Sequence, residues 1–423
     1  MKGKWIIAGG LLLAELVLCA GMMVSIWAGV IGLGRMQIRL GSFFDDTTSA
    51  TAEEEERFEV DGPATVNVNK GNLAAFGDVT VIGGLGDEIV VTAHKAAWGA
   101  DTTSAENDLA NLKVIVTQNG DVIDVRVERP ESMSVFTLGN TRPDKVDFTI
   151  TAPVETSVYL VTDFGDLSVS GTEGSVHLDT NFGKIEVTEV TGGDIDVRSD
   201  FGEIKLESVE ADDVEAHSNA GEIIFDGVRA SGEVSISTDF GEVDVDGGTA
   251  KTLFAKTNSG DVTVQNVNVA ESISARSEFG QVRVVDVAGE SYELNSNSGG
   301  ITLEGATGPV TAHTDFGDVT VTGGVEVTLD LSTNSGNVEF AGSLSKGLHT
   351  ISTDFGQITL KLPDDSELTV DLQTEFGRIK SDLPITLSGD QEENHWQGEI
   401  NGGGAELTAT TNSGNITIQS FEP

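Results

Sequence analysis

Branched aliphatic residues alternate with polar ones through most of the chain beyond residue 154, always in the same relation to a glycine. Around Gly241, for example, apolar pairs stand seven and five residues before the glycine and two and four residues after it, and a Thr or Ser always stands three residues before it. An apolar period of two predicts strands with one buried face. The glycine predicts a tight corner that needs a positive φ.

This unit repeats along residues 154–420 at steps of 18 to 21 residues. One such unit cannot bury its apolar face alone, but stacked copies can. The pattern predicts an all-β fold, a parallel β-solenoid (β-helix) of about 19-residue coils, whose roughly thirteen coils build a rod on the order of 60 Å long. We expect the Thr and Ser residues to stack into a hydroxyl ladder. A β-sandwich would explain the short strands but not the fixed repeat. The corner glycines are Gly165, Gly183, Gly202, Gly221, Gly241, Gly260, Gly280, Gly299, Gly317, Gly336, Gly356 and Gly377.

The residue two positions before the glycine alternates between an acid and an amide. If each unit is one coil, an Asn lies between neighbouring carboxylates and can donate to both, and Phe alternates with small residues at the next position. If a coil takes about 39 residues, acids stack directly and need a cation such as Ca²⁺. We favour the 19-residue coil. The alternating residues are Asp163, Asn181, Asp200, Asn219, Asp239, Asn258, Glu278, Asn297, Asp315, Asn334 and Asp354.

The tripeptide Asp239-Phe240-Gly241 matches the magnesium-binding signature of protein kinases. A kinase has one such motif beside a catalytic loop and a glycine-rich loop. In this chain Asp-Phe-Gly marks successive repeats, so the sequence excludes a kinase.

The first 153 residues differ from the repeats. Residues 1–35 contain a long apolar run, 5–34, which predicts a signal-anchor transmembrane helix, with the solenoid outside the cell. Within this run, Glu15 marks either a helix–helix contact or a tolerated charge. Residues 36–57 predict a flexible acidic spacer, and 58–153 a β-rich cap for the solenoid, with a short helix over 102–112 capped by Thr103 or Ser104. The repeats then extend over 154–423, with an irregular coil or projecting loop near 384–404.

The chain is strongly acidic, with 69 Asp and Glu against 24 Lys and Arg among 423 residues, a formal net charge of −45. Such a surface repels phosphate backbones and excludes nucleic-acid binding. Cys19 is the single cysteine, so no intramolecular disulfide forms.

Several segments together resemble the bacterial "putative-adhesin" domain family of repetitive β-helical proteins of unknown function. They are VDGPATVNVNKGN, GDEIVVTAHK, DFTITAP followed by VYLVTDFGDLSVSG, and GGGAELTATTNSGNITIQ, spread over residues 58–420. The resemblance implies a domain on a membrane-anchored or cell-surface protein. It implies no catalytic residues.

Candidate chemistry is sparse. The six histidines, His94, His177, His217, His313, His349 and His395, do not show metal-ligand spacing and are interpreted as solvated strand residues. We predict no catalytic, cofactor-binding or metal-binding residue. Outward acids such as Glu242, Asp244 and Asp246 could gather Ca²⁺, but the nonapeptide repeat of calcium-binding rolls is absent.

The sequence therefore predicts a non-enzymatic, membrane-anchored cell-surface β-solenoid, an adhesin or an envelope scaffold that contacts envelope or extracellular glycan or protein ligands. One alternative is an envelope-stress or signalling accessory whose solenoid senses ligands. A carbohydrate-active β-helix enzyme is the other. The sequence does not fix the oligomeric state.

Overall fold

The computed structural model describes residues 48–69, 76–84, 86–128, 144–388 and 393–421. From Thr48 onward the chain forms one compact unit, with 36 strands and one helix in its described residues. The predicted membrane segment 5–34 and residues 36–47 of the predicted spacer lie outside the described residues. Among the helices that the structure describes, none is long and apolar enough to span a bilayer.

The N-terminal elements are β1 (Thr48–Glu59), β2 (Ala64–Val68), β3 (Val79–Gly84), β4 (Glu88–Gly99), α1 (Thr102–Asn111), β5 (Lys113–Asn119), β6 (Val122–Glu128) and β7 (Lys145–Pro153). The central strands are β8 (Thr156–Phe164), β9 (Leu167–Ser170), β10 (Val176–Phe182), β11 (Ile185–Thr188), β12 (Ile195–Phe201), β13 (Ile204–Glu207), β14 (Glu210–Ala211), β15 (Val214–Ala220), β16 (Ile223–Ala230), β17 (Glu233–Phe240), β18 (Val243–Ala250), β19 (Thr252–Ser259), β20 (Val262–Gln265), β21 (Asn268–Val269) and β22 (Ser272–Phe279). The chain continues through β23 (Val282–Val285), β24 (Ser291–Ser298), β25 (Ile301–Glu304), β26 (Thr307–Phe316), β27 (Val319–Ser335), β28 (Val338–Leu344), β29 (Leu348–Phe355) and β30 (Ile358–Pro363). The C-terminal elements are β31 (Leu368–Phe376), β32 (Ile379–Ser381), β33 (Ile385–Leu387), β34 (His395–Ile400), β35 (Ala405–Ser413) and β36 (Ile416–Phe421).

The central strands stack as a parallel β-solenoid, which confirms the predicted fold. Strand β10 lies between β8 and β12, with Val176 opposite Val158 on one side and Ile195 on the other. Strand β11 lies in the same way between β9 and β13. One coil therefore takes 18 or 19 residues here, so the 39-residue alternative is wrong.

The apolar alternation fills the interior of the rod. In the coil of β10 and β11, Val176, Leu178, Ile185 and Val187 are at most 1% exposed, while His177 and Glu186, which alternate with them, are partly exposed. Burial of one such side chain contributes about 1.5–3 kcal/mol. The same pair of strand faces recurs coil after coil, so the hydrophobic core is one continuous column.

Glycine is required at the corner because neighbouring coils approach closely there, rather than because the backbone has a positive φ. A Cβ on Gly202 would lie 1.9 Å from the carbonyl oxygen of Gly183, and one on Gly241 would lie 2.0 Å from that of Gly221. Positive φ occurs at only some of these corners, for example Gly260 at 150°. Our prediction that the glycines supply positive φ is therefore wrong for most corners. Any side chain there would push two coils apart.

The Thr and Ser residues before the corner are buried, and their hydroxyl groups bond to the backbone of the preceding coil. Thr257 Oγ1 donates to the carbonyl oxygen of Gly241 at 2.9 Å, and Ser277 Oγ donates to that of Gly260 at 2.8 Å. The predicted hydroxyl ladder exists, but its rungs join hydroxyl to glycine carbonyl, not hydroxyl to hydroxyl. Each rung gives a hydrogen-bond donor to the glycine carbonyl oxygen at the close contact.

The N-terminal end of the rod does not follow chain order. Strand β2 pairs with both β6 and β8, and β3 pairs with both β7 and β9, so the later coil of β6 and β7 lies outside the earlier one. The antiparallel strands β5 and β4 then cover the outer edges of β6 and β7. The region predicted as a cap over 58–153 thus contains two coils of the solenoid and the strands that cover their edges.

Two local predictions for this end need correction. Residues 48–57, predicted as part of the flexible spacer, belong to β1, which pairs along its length with β4. The predicted helix is present as α1, but its N-cap is Asp101, which accepts a hydrogen bond from the Ser104 amide at 2.8 Å.

The C-terminal end shows the same reversal of order. Strand β35 lies between β29 and β31, and β36 lies between β30 and β32, so the last coil of the chain is the second to last in space. The irregular region predicted near 384–404 forms the antiparallel strands β33 and β34, and β34 covers the outer edge of β31. The first coil in chain order is thus held between two others at the N-terminal end, and the last coil in chain order is held between two others at the C-terminal end.

The hydroxyl rung leads to a first prediction. Thr257→Val keeps the shape of the side chain but removes the donor to Gly241, so we expect the free energy of unfolding to fall by about 1–3 kcal/mol. Thr257→Ser keeps the donor and is the matched control, with a smaller loss. Urea denaturation of the purified chain measures both, and a Val variant as stable as the wild type would contradict the role of the rung.

Candidate binding surface at the acid–phenylalanine corner

The residue before each corner glycine lies on the outside of the rod, because it stands at the end of a strand, where the chain turns into the next strand. Where this residue is Phe, its ring is exposed, from 38% at Phe164 to 76% at Phe376. Exposed aromatic rings in a row are unusual on a soluble surface and mark contact sites. The exposed rings belong to Phe164, Phe182, Phe201, Phe240, Phe279, Phe316, Phe355 and Phe376.

The row has two parts. At the N-terminal part, Phe164, Phe182 and Phe201 continue a stack that begins at the buried ring of Phe76, and the ring centroids on consecutive coils are 4.8 to 4.9 Å apart. From Phe201 onward, coils with Phe alternate with coils that carry a small residue at the same place. The predicted alternation is therefore confirmed for this second part. The small residues are Ala220, Ser259, Ser298, Ser335 and Ser413.

We name six of these rings the teeth: Phe201, Phe240, Phe279, Phe316, Phe355 and Phe376. A carboxylate directly precedes each tooth in the sequence. For every tooth except Phe376, an Asn amide on the following coil bonds to this carboxylate, as Asn258 Nδ2 does to Asp239 Oδ1 at 2.7 Å and Asn334 Nδ2 does to Asp315 Oδ1 at 2.7 Å. We expected each Asn to donate to both neighbours, whereas these bonds are directed to the preceding coil. The amides separate carboxylates that would otherwise stack at about 4.8 Å.

The reversed order of the last coils preserves this pattern. In chain order, Asp354 and Glu375 would lie on neighbouring coils, and so would Phe355 and Phe376. The insertion of β35 places Ser413 opposite both rings, and Asn412 Nδ2 donates to Asp354 Oδ1 at 2.9 Å. Sequence reasoning missed this insertion, although the break in the alternation after Asp354 was its signal.

Acidic side chains also stack on the strand face that follows the corner. The pKa of Glu222 is raised by partial burial and by the neighbouring carboxylates of Glu242 and Glu203. Burial likewise raises the pKa of Asp244, with Asp246 adding to the effect. At these two residues, burial and neighbouring carboxylates both disfavour the charged form.

A second cluster lies on the strand face before the corner. The Tyr159 ring stacks on the His177 ring with centroids 4.4 Å apart, and His177 Nδ1 lies 3.0 Å from Asp196 Oδ2. Burial raises the pKa of nearby Asp179, and the charge of His177 opposes this shift. The arrangement joins three coils through side chains. It is one of several local ion pairs on this face, such as Arg198 with Glu215 at 3.3 Å.

The other histidines are mostly local hydrogen-bond partners. His217 and His313 occupy the same position of the repeat, and each bonds to a Ser of the next coil. His349 departs from our interpretation of solvated residues, because it is fully buried and its ring nitrogens contact the Leu329 amide and the Ser345 carbonyl oxygen. Burial lowers the pKa of His349, and the Leu329 amide that donates to Nδ1 requires this nitrogen to carry no proton. Within the part of the chain that the structure describes, no group of three or more His, Cys, Asp and Glu residues could hold a metal ion.

Comparison with known proteins decides the family. A model of the Toastrack DUF4097 family matches residues 78–304 and 270–419, which together span most of the chain. The chain belongs to the Toastrack DUF4097 family. The resemblance to a repetitive adhesin-like domain family is thereby confirmed.

Two solved structures are similar to this Toastrack chain. One is described as a putative cell adhesion protein from Clostridium sporogenes, 10% identical, covering 88% of this chain and 100% of its own, with a TM-score of 0.18. The other is described as a putative adhesin from Bacteroides fragilis, 11% identical, covering 88% and 97%, with a TM-score of 0.26. No curated protein matches the sequence.

The acid–amide row yields a second prediction. Asn258→Asp would place three carboxylates on consecutive coils, with Asp239 before and Glu278 after. We expect a loss of about 1–3 kcal/mol in the free energy of unfolding at low salt, because the donor is lost and like charges then face each other. High salt should recover part of this loss by screening.

The matched control is Asn258→Ala, which removes the donor without adding charge. Its loss should be smaller and should change little with salt. Urea denaturation at low and high ionic strength measures both variants, and equal salt dependence in the two would contradict charge separation as the role of the amide.

Proposed function

We propose that this Toastrack protein is a non-enzymatic adhesion or scaffold rod, anchored in the membrane through residues 5–34 and displayed outside the cell. The observation that carries the proposal is the set of six teeth, exposed Phe rings that each follow an acidic residue and lie on every second coil of the rod. A stiff row of identical contacts suits multivalent binding, in which many weak contacts add to firm attachment.

Three further observations support this proposal. The apolar run 5–34 is long enough to cross a bilayer. The net charge of −45 keeps a surface-displayed rod soluble and away from nucleic acid. The covered strands at both ends of the solenoid protect it from edge-to-edge aggregation, which a protein displayed at high local density needs.

Cysteine labelling in intact cells tests the anchoring and the orientation. Cys19 is the single cysteine, so a Cys19→Ser background is free of thiols. We expect Ser298→Cys, whose side chain is exposed on the row, to react with a membrane-impermeant maleimide before lysis. Ser296→Cys is the matched control, since that position is only 2% exposed and should react after denaturation.

Deletion of residues 5–34 should release the protein from the membrane fraction and abolish adherence of producing cells to envelope preparations. Labelling of Ser298→Cys only after lysis would contradict surface display. Retention of the deleted protein in the membrane fraction would contradict the anchor, and unchanged adherence would contradict the adhesive role.

A further inference from the structure

We propose that the six teeth bind a proline-rich segment that carries Lys or Arg and adopts the polyproline II conformation, lying along the rod axis. This proposal names the partner of the surface described above and rests on the proposed adhesive function. It draws on the spacing of the teeth, the charge beside them and the small residues between them.

The spacing of the teeth selects the conformation of the partner. Stacked rings on neighbouring coils are 4.8 to 4.9 Å apart, so teeth on alternate coils repeat at about 9.7 Å. A polyproline II helix repeats every three residues, at about 9.3 Å. Same-face residues of a strand repeat at about 6.7 Å, and two turns of an α-helix span about 10.8 Å. Among these three, the polyproline II repeat is nearest to the distance between teeth, from which it differs by about 0.4 Å.

The charge beside the teeth selects a cationic partner. Each tooth follows an acidic residue, so a Lys or Arg at every third position of the partner would meet a carboxylate and a ring face together. Two of these carboxylates already have basic neighbours: Glu278 lies 3.0 Å from Arg276, and Asp315 lies 3.8 Å from His313. Asp239 and Asp354 accept hydrogen bonds from the side-chain amides of Asn258 and Asn412. Because these amides are neutral, the two carboxylates keep their negative charge.

The gaps between the teeth select the apolar part of the partner. Ser259, Ser298 and Ser335 stand where the neighbouring coils carry Phe, so the row alternates between a ring and a short side chain. Proline rings fit between aromatic side chains in this manner in known polyproline recognition. A second copy of this chain would fit the gaps in shape, but it would bring a net charge of −45 and another carboxylate row against the first.

Fluorescence polarisation with the full chain in detergent tests the proposal. The probe is a labelled (Pro-Pro-Lys)6 peptide. In the polyproline II conformation it spans about 56 Å, enough for all six teeth. A (Gly-Ser-Lys)6 peptide has the same charge without the conformation, and (Pro-Pro-Glu)6 has the conformation with the opposite charge. We expect saturable binding of the first peptide at physiological ionic strength, and at least about tenfold weaker binding of the other two.

Two sets of variants locate the site and its spacing. Phe240→Ser, Phe279→Ser and Phe316→Ser combined remove three teeth and should weaken binding at least about tenfold. Val325→Ser with Leu348→Ser removes exposed apolar side chains elsewhere and is the control, with binding unchanged. Ser259→Phe with Ser298→Phe fills two gaps without removing any ring, and should also weaken binding, because the two-coil spacing is lost.

Equal binding of the Pro-Pro-Lys and Gly-Ser-Lys peptides would overturn the proposal in favour of charge attraction alone. Unchanged binding by the gap-filled variant would overturn the role of the spacing. Absence of peptide binding, together with dimers in sedimentation that the loss of three teeth abolishes, would assign the row to self-association. These results are independent of maleimide labelling in cells, so this proposal can fail while the proposed function stands.

Discussion

The close contact between glycines of successive coils is the constraint on which the rest of the molecule depends. A Cβ at most of these corners would lie about 2 Å from a carbonyl oxygen of the preceding coil, as at Gly221 and Gly336. The glycine allows the coils to approach, and the buried hydroxyl three residues before it donates to the same carbonyl oxygen of the preceding coil. With the corner fixed, the flanking aliphatic residues of every coil point into one column. The spacing between coils is then uniform along the rod.

Because the coils are uniformly spaced, the residues of a short sequence motif line up as a continuous row on the surface of the rod. Because the same close approach recurs at every corner, the Phe before the glycine is exposed from Phe164 onward, and the acid or amide before it lies beside its neighbours on adjacent coils. The ends of the rod preserve this order: the insertion of β35 keeps Asn412 and Ser413 between two coils that each carry an acid and a Phe. Function and stability therefore share the same repeat. The buried side of the corner holds the rod, and its outer side presents the contacts.

Much of this could be predicted from the sequence, because the repeat is long and each coil obeys the same rule. The coil length, the buried alternation and the acid–amide pairing all depend on neighbours at a fixed separation of about 19 residues. The end coils were not predictable in this way, since β6 with β2 and β35 with β29 pair across irregular separations. Strand β1 was missed because four consecutive Glu residues hide its alternation. His349 was misinterpreted because its burial depends on contacts with Leu329 of β27 and with Ser345 between β28 and β29, which the repeat does not encode.

The role of the glycine corner is tested most directly by comparing the free energies of unfolding of Gly241→Ala and Gly62→Ala. Both substitutions add one methyl group to a backbone that L residues can adopt, but the methyl group at 241 meets the Gly221 carbonyl oxygen at 2.0 Å, whereas nothing lies within 4 Å at 62. If contact at the glycine corner sets the spacing of the coils, Gly241→Ala lowers the free energy of unfolding by more than about 2 kcal/mol, whereas Gly62→Ala changes it by less than about 0.5 kcal/mol. Equal and small effects of the two substitutions would show that the coils are not held by contact at the glycine corner.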